Sequence, residues 1–335
     1  MNIKVVIELL KETFAEWSKD KVSRIAAALA YYTIFSLAPL LIIVIAIAGS
    51  VFGEEAARGE IVAQIQGLVG KDGAEFIQTA IENANRPAQG RFASIISVIV
   101  LLFGATGLFA ELQDALNTVW EVQPKPERGL LNLVRNRFLS FAMILGVGFL
   151  LIVSLIASAG LSAAVNFFGG LFPFLTSFIQ LATSILSFIV TTVLFAAIYK
   201  ILPDAKITWS DVWIGALITS FLFSIGRFLL GQYLGNNSFG STYGAAGSLV
   251  VVLAWVFYAT QILLLGAEFT QVYARRFGSG IVPAEYAQPL NQNNNVEQTQ
   301  EDREPQSPRR RKKSSNFISR IFRIGQPKRS NRNRR

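Results

Sequence analysis

Six long apolar stretches, separated by shorter polar connections, set the pattern of this chain: residues 29–53, 93–116, 138–165, 174–200, 212–234 and 246–271. Crossing a bilayer core of about 30 Å takes about 20 helical residues, and each stretch supplies them. Helices are required, because an open sheet edge in lipid would leave backbone groups unpaired. The pattern predicts an all-α integral membrane protein with six transmembrane helices in a domain spanning residues 29–276.

Two amphipathic patterns flank or interrupt these spans. Over residues 1–28, Ile3, Val6, Leu10, Phe14 and Trp17 recur at helical spacing while Glu8, Lys11, Glu12 and Glu16 take the other face, which predicts an interfacial helix. In the connection 54–92, Ile61, Val62, Ile65, Leu68 and Val69 form one short apolar face. Phe76, Ile77, Ala80 and Ile81 form a second, and "GKDG" between them is a turn signal, so a helical hairpin beside the membrane surface is expected. After Arg276 the pattern ends, and "NQNNNVEQTQEDREPQSPRRRKKSS" has too few apolar residues to form a core. Residues 277–335 therefore read as a disordered tail.

Charge orients the spans. Lys4, Lys11, Lys19, Lys21 and Arg24 precede the first; Lys125, Arg128, Arg135 and Arg137 lie between the second and third; Lys200 and Lys206 follow the fourth; Arg275 and Arg276 close the sixth. All fall on one side if six helices alternate, and the excess of Lys and Arg makes that side cytoplasmic, with both termini inside and the 54–92 hairpin outside. The tail carries 13 Lys and Arg against 5 Asp and Glu. Its "NFISRIFRI", between "RRRKK" and "KRSNRNRR", reads as a solvated tail or as a segment lying on anionic lipid. No folded nucleic-acid module accompanies it, so a specific nucleic-acid partner is not expected.

Composition then removes whole classes of chemistry. The 335 residues include no Cys and no His. Disulfides, Cys or His zinc sites, thiol nucleophiles and Ser-His-Asp triads are excluded. There is no GxxxxGK[ST] stretch, so ATP hydrolysis is not expected. The reading is a protein without a cofactor or resident metal and without enzymatic activity, whose partners are membrane lipids and for which a homo-oligomer is compatible.

Three stretches carry a resemblance: "AAALAYYTIFSLAPLL" from Ala26, "GATGLFAELQDALNTVW" from Gly104 and "GAAGSLVVVLAWVFYATQILLLGAEFTQVYA" from Gly244. In this order, in matching spans, they resemble the YihY/BrkB family of bacterial inner-membrane proteins, over about residues 1–280. The resemblance implies a multi-pass protein of the bacterial inner membrane; relatives have been proposed to act in envelope lipid export and in resistance to host killing. The family has also carried a ribonuclease label. A metal-dependent ribonuclease wants His and carboxylate ligands in a site that RNA can reach; this chain has no His, and its in-span carboxylates sit in hydrocarbon-like surroundings.

Charges inside spans are costly and mark candidate sites. Four stand out: Glu111 and Asp114 at the end of span two, Arg227 in span five and Glu268 in span six. Counting at 1.5 Å per residue, Glu111 lies about 27 Å along its span and Glu268 also falls near the inner face, whereas Arg227, about 22 Å up span five, belongs to the outer half. For the acids the expectation is either helix-end ion pairs, with Arg24, Arg135, Arg137 or Arg275 as partners, or a cytoplasmic gate that takes a proton or cation. Arg227 either snorkels outward or holds an anionic group. The connection Gly231–Ser248, which contains Asn236 and Asn237, is rich in small polar residues and is the candidate lining of an outward cavity. Pro39 interrupts span one, with Thr33 and Ser36 placed to satisfy freed carbonyls. The function expected is transport or flipping of an amphiphilic or anionic envelope substrate such as a lipid; the alternative is a non-transporting scaffold or envelope-integrity factor.

Overall fold

The structure, a computed structural model, describes residues 3–84, 91–125, 129–168, 174–236 and 246–290. Long helices dominate: α1 (Ile3–Lys19), α2 (Val22–Phe52), α3 (Glu54–Ala84), α4 (Arg91–Val119), α5 (Gly129–Phe168), α6 (Phe174–Ile201), α7 (Trp209–Asn236) and α8 (Gly247–Arg276). The short strands β1 (Val122–Pro124), β2 (Ala205–Lys206), β3 (Val282–Pro283) and β4 (Ala287–Pro289) make two antiparallel pairs, β1 with β4 and β2 with β3. Among the described residues four stretches are long and apolar enough to cross a membrane: Val22–Phe52, Leu181–Ile201, Trp209–Leu230 and Gly247–Arg276. The apolar stretches 93–116 and 138–165 fall within α4 and α5.

The outer surface of these helices is oily. Phe149, Ile189, Phe221 and Phe228 are each more than half exposed, an arrangement that suits lipid rather than water. Inside, Leu116, Ile144, Tyr199, Leu202 and Leu264 are fully buried. Helices α7 and α8 meet through glycines used as slots: Thr270 of α8 packs over Gly215 and Thr219 of α7 packs over Gly266, leaving no room for a Cβ at either glycine. Tyr199 adds hydrogen bonds to Thr219 Oγ1 (3.0 Å) and to the Leu263 carbonyl (2.6 Å). Pro39 does not break α2; its ring lies against Gly104 of α4, and Thr33 donates to the Leu29 carbonyl at 2.6 Å. Close packing of α2 on α4 therefore absorbs the proline.

One end of the bundle gathers the connections. The β1–β4 pair ties the end of α4 to the segment after α8, and β2–β3 ties the α6–α7 connection to the same segment. Residues 277–290, which the sequence reading gave to the tail, fold back here as a strap: Ala284 N–H donates to the Asp204 carbonyl (2.9 Å) and Leu290 N–H to the Glu121 carbonyl (2.8 Å). Strands of two or three residues have no periodicity for a sequence to reveal. Residues 291–335, including the basic tail segments, lie outside the described residues. Trp209 and Trp213, their rings 6.5 Å apart, flank this end with Lys200 Nζ 5.6 Å from the Trp209 ring, the composition of a membrane-interface belt.

At the opposite end α3 turns back from α2 through Gly53 (φ 87) and bends again at Gly70 (φ 77). Both glycines adopt the left-handed region that other residues avoid. The Gly70 bend makes the two arms expected from "GKDG". Their apolar faces are buried at Ala57, Ile61, Val69, Ala74, Ile77 and Ile81. Gly73 abuts Val252 near the start of α8, so the hairpin packs on the bundle.

Candidate functional site

Helix α1 docks at the connected end by its acidic face. Leu9 is buried with Phe269 and Val272 of α8. Beside it Arg276 pairs with Glu8 (2.5 Å), and Arg275 with Glu12 (2.7 Å) and Glu16 (3.0 Å). The stripe Ile3, Ile7, Leu10 and Phe14 stays exposed, free to lie in an interface. The acids of α1, expected to face solvent, are the ones that hold it. Lys19 Nζ bridges Glu16 (2.8 Å) and Glu121 (2.9 Å). Burial opposes ionisation of Glu16, yet Lys19 and Arg275 outweigh it and hold its carboxyl below the usual range. Asp20 in the next turn lacks such cover: burial pushes its carboxyl up to about 6, Lys19 opposes, and Glu16 and Glu121 add to the shift.

Beneath this corner is Glu268. Its side chain is 0% exposed, and neither carboxylate oxygen has a hydrogen-bond partner among the described residues. The charges whose field reaches it are Asp20, Glu16, Lys19 and Glu121. The buried Trp120 Nε1 and Gln271 Oε1 at the same end also lack partners among the described residues. The sequence placed Glu268 where water lowers the cost of a charge and offered it Arg24, Arg135, Arg137 or Arg275; Arg135 and Arg275 are engaged elsewhere, and the acid is fully buried. The cost of a bare carboxylate there is several kcal/mol or more, so it needs a proton or a bound cation.

The fully paired counterpart is Asp204, in the α6–α7 connection and 1% exposed. Its Oδ1 accepts from Gln113 Nε2 (3.0 Å) and Arg135 Nη1 (2.7 Å), its Oδ2 from Asn117 Nδ2 (3.0 Å), and its N–H donates to Asn117 Oδ1 (2.8 Å). Arg135 also donates to the Tyr286 hydroxyl and lies 3.6 Å from that ring's centre. Burial raises the Tyr286 hydroxyl above its usual range, with Arg135 opposing. The hub thus joins α4, α5, the α6–α7 connection and the strap. Sequence reasoning singled out Glu111 and Asp114 in this stretch and missed their neighbours: Glu111 is half-buried and Asp114 exposed, while Gln113 and Asn117, four residues apart on the inward face, do the binding.

The remaining candidates are spread out. Arg227 is exposed on α7, and its neighbour Gly226 faces Tyr258 of α8. The side chain of Asn236 and the whole of Asn237 lie outside the described residues. Among the described residues no group of three or more Asp and Glu side chains is placed to hold a metal ion.

The chain is similar to known bacterial membrane proteins. The chain is 28% identical over 278 residues to a UPF0761 membrane protein of Psychromonas ingrahamii, covering 80% of this chain and 88% of the relative. It is 27% identical over 283 residues to one of Photobacterium profundum, covering 81% and 84%, and 26% identical over 279 residues to one of Teredinibacter turnerae, covering 81% and 61%. No solved structure matches the chain. The family described as Virulence factor BrkB matches residues 13–291, from within α1 to the end of the strap, and the chain belongs to that family.

Proposed function

We propose that this protein crosses the bacterial inner membrane six times with both termini in the cytoplasm, and that it moves or flips an amphiphilic or anionic envelope substrate such as a lipid without catalysing covalent chemistry. Six long helices, α2 and α4 to α8, and the gathering of the cation-bearing connections at one end support the topology. The observation that carries the functional reading is Glu268: a fully buried carboxyl with no hydrogen-bond partner among the described residues, on a membrane-spanning helix. Packing alone gives no reason to keep such a group, whereas a gate that takes up and releases a proton or cation needs one. Glu111 and Asp114 belong to the same inner end; Arg227, Asn236 and Asn237 belong to the outer half.

A second reading, a non-transporting scaffold, is favoured by the Asp204 hub, which ties the connections together as a structural device would. Purified full-length protein in liposomes separates them. Under the transport reading, fluorescent phospholipid exchanges between leaflets faster than in empty liposomes, and Glu268→Gln and Arg227→Ala each slow the exchange at equal protein. Exchange no faster than in empty liposomes leaves the scaffold. The ribonuclease reading would need RNA cleavage that follows the protein through purification and survives removal of residues 291–335.

A further inference from the structure

The corner between α2 and α3 encloses a pocket that no sequence feature marked. It holds about 170 Å³. Its floor is apolar, made by Ile42, Ile45 and Ala46 of α2 and Ile81 of the second α3 arm, and its rim is Glu54 and Arg58. Ile45 and Ile81 are buried. Arg58 Nη2 donates to Glu54 Oε1 at 3.0 Å, but its Nε is buried and finds no acceptor among the described residues. The Glu54 side chain is 63% exposed, and an ion pair so open to solvent is worth about 0–1 kcal/mol, too little to hold the guanidinium against a better partner.

We propose that this corner binds the head group of a phospholipid, with the phosphate on Arg58 and the first acyl carbons on the apolar floor. A guanidinium lining a greasy pocket matches that ligand at both ends: the fork suits phosphate oxygens, and the floor excludes a bare hydrated ion. The position suits it too. Ile42 to Ala46 lie about 9–15 Å before the end of α2 at Phe52, the depth at which head groups give way to chains. Val51, in the last turn of α2, is 62% exposed and offers apolar surface at this end of the helix. The volume admits a head group and not a whole lipid, so the chains lie along the outside of the helices. The lipid belongs to the outer leaflet under the proposed topology. Binding does not depend on the lipid being moved.

The test is a titration of the detergent-purified full chain with dioleoylphosphatidylglycerol, followed by native mass spectrometry and thermal shift. Dioleoylglycerol, which lacks the phosphate, and inorganic phosphate, which lacks the chains, serve as the other arms. The phospholipid should bind at least tenfold tighter than either. Arg58→Ala should lose that advantage, and Glu54→Gln, which frees the guanidinium, should tighten binding several-fold. Ile45→Trp, which fills the floor and keeps Arg58, covers the case in which Arg58→Ala fails to fold; it should abolish binding. Equal binding of phosphatidylglycerol by the wild type and by Arg58→Ala or Ile45→Trp overturns the proposal, as does inorganic phosphate binding as tightly as the phospholipid. Binding with no leaflet exchange leaves this site standing and sinks only the transport reading.

Discussion

Asp204 and Glu268 are both carboxyls buried at the connected end of the molecule, and they differ in everything that surrounds them. Asp204 has three side-chain donors on its oxygens and a backbone bond besides; Glu268 has no hydrogen-bond partner among the described residues. The first is neutralised by permanent partners and its work is finished once the fold forms. The second has no such partners, and under the gate reading that leaves it free to take up a proton or cation. Burial of an acid therefore does not mark a site; burial without a partner does.

The sharpest way to break this comparison is to cut the hub. Asp204→Ala strands Arg135, Gln113 and Asn117 and should lower stability by about 3–5 kcal/mol, read as a large fall in the melting temperature of the detergent-purified protein. Next in size, Gly266→Val should cost about 1–3 kcal/mol or more by driving a side chain into Thr219 and Tyr199; a variant that melts with the wild type would show that α7 and α8 can separate cheaply. A smaller effect is expected of pH at Asp20. Its folded value of about 6 stands above the ordinary 3.8, so the stability it contributes is fully present below 3.8 and lost as pH rises through 6. Melting curves between pH 4 and 7 should show that trend, and Asp20→Asn should flatten it. The smallest stability effect belongs to Glu268→Gln, which removes no hydrogen bond formed among the described residues and should change stability by less than about 1 kcal/mol in either direction. If Glu268→Gln melts as low as Asp204→Ala, the two acids are alike and the gate reading falls.

Much of the architecture was legible because lipid imposes long apolar runs and sorts cations to one side of them. The two arms of α3 were legible for a similar reason, since Ile61, Val69, Ile77 and Ile81 keep helical spacing around a turn signal. The rotation of each helix was not. Helix α7 is apolar nearly all round, so nothing in its pattern tells Arg227 from a buried residue; only its exposure in the folded bundle does. Asp204 was missed because a lone acid in a connection has no periodicity, and its partners Gln113 and Asn117 carry no charge to draw the eye. Arg58 was passed over as one of several charges in a polar connection, since only the folded corner sets it above Ile45 and Ile81.

The strap has a consequence for the order in which the protein is built. Val122 pairs with Pro289 and Gln123 with Gln288, partners separated by nearly half the chain. Chains emerge from the ribosome N-terminus first, so all eight helices are made before β4, and through that time Arg135 has no Tyr286 to stack on. The β1–β4 and β2–β3 pairs can therefore form only after α8 is made. A chain that stops before that point leaves Arg135 without the Tyr286 ring and hydroxyl that cover it.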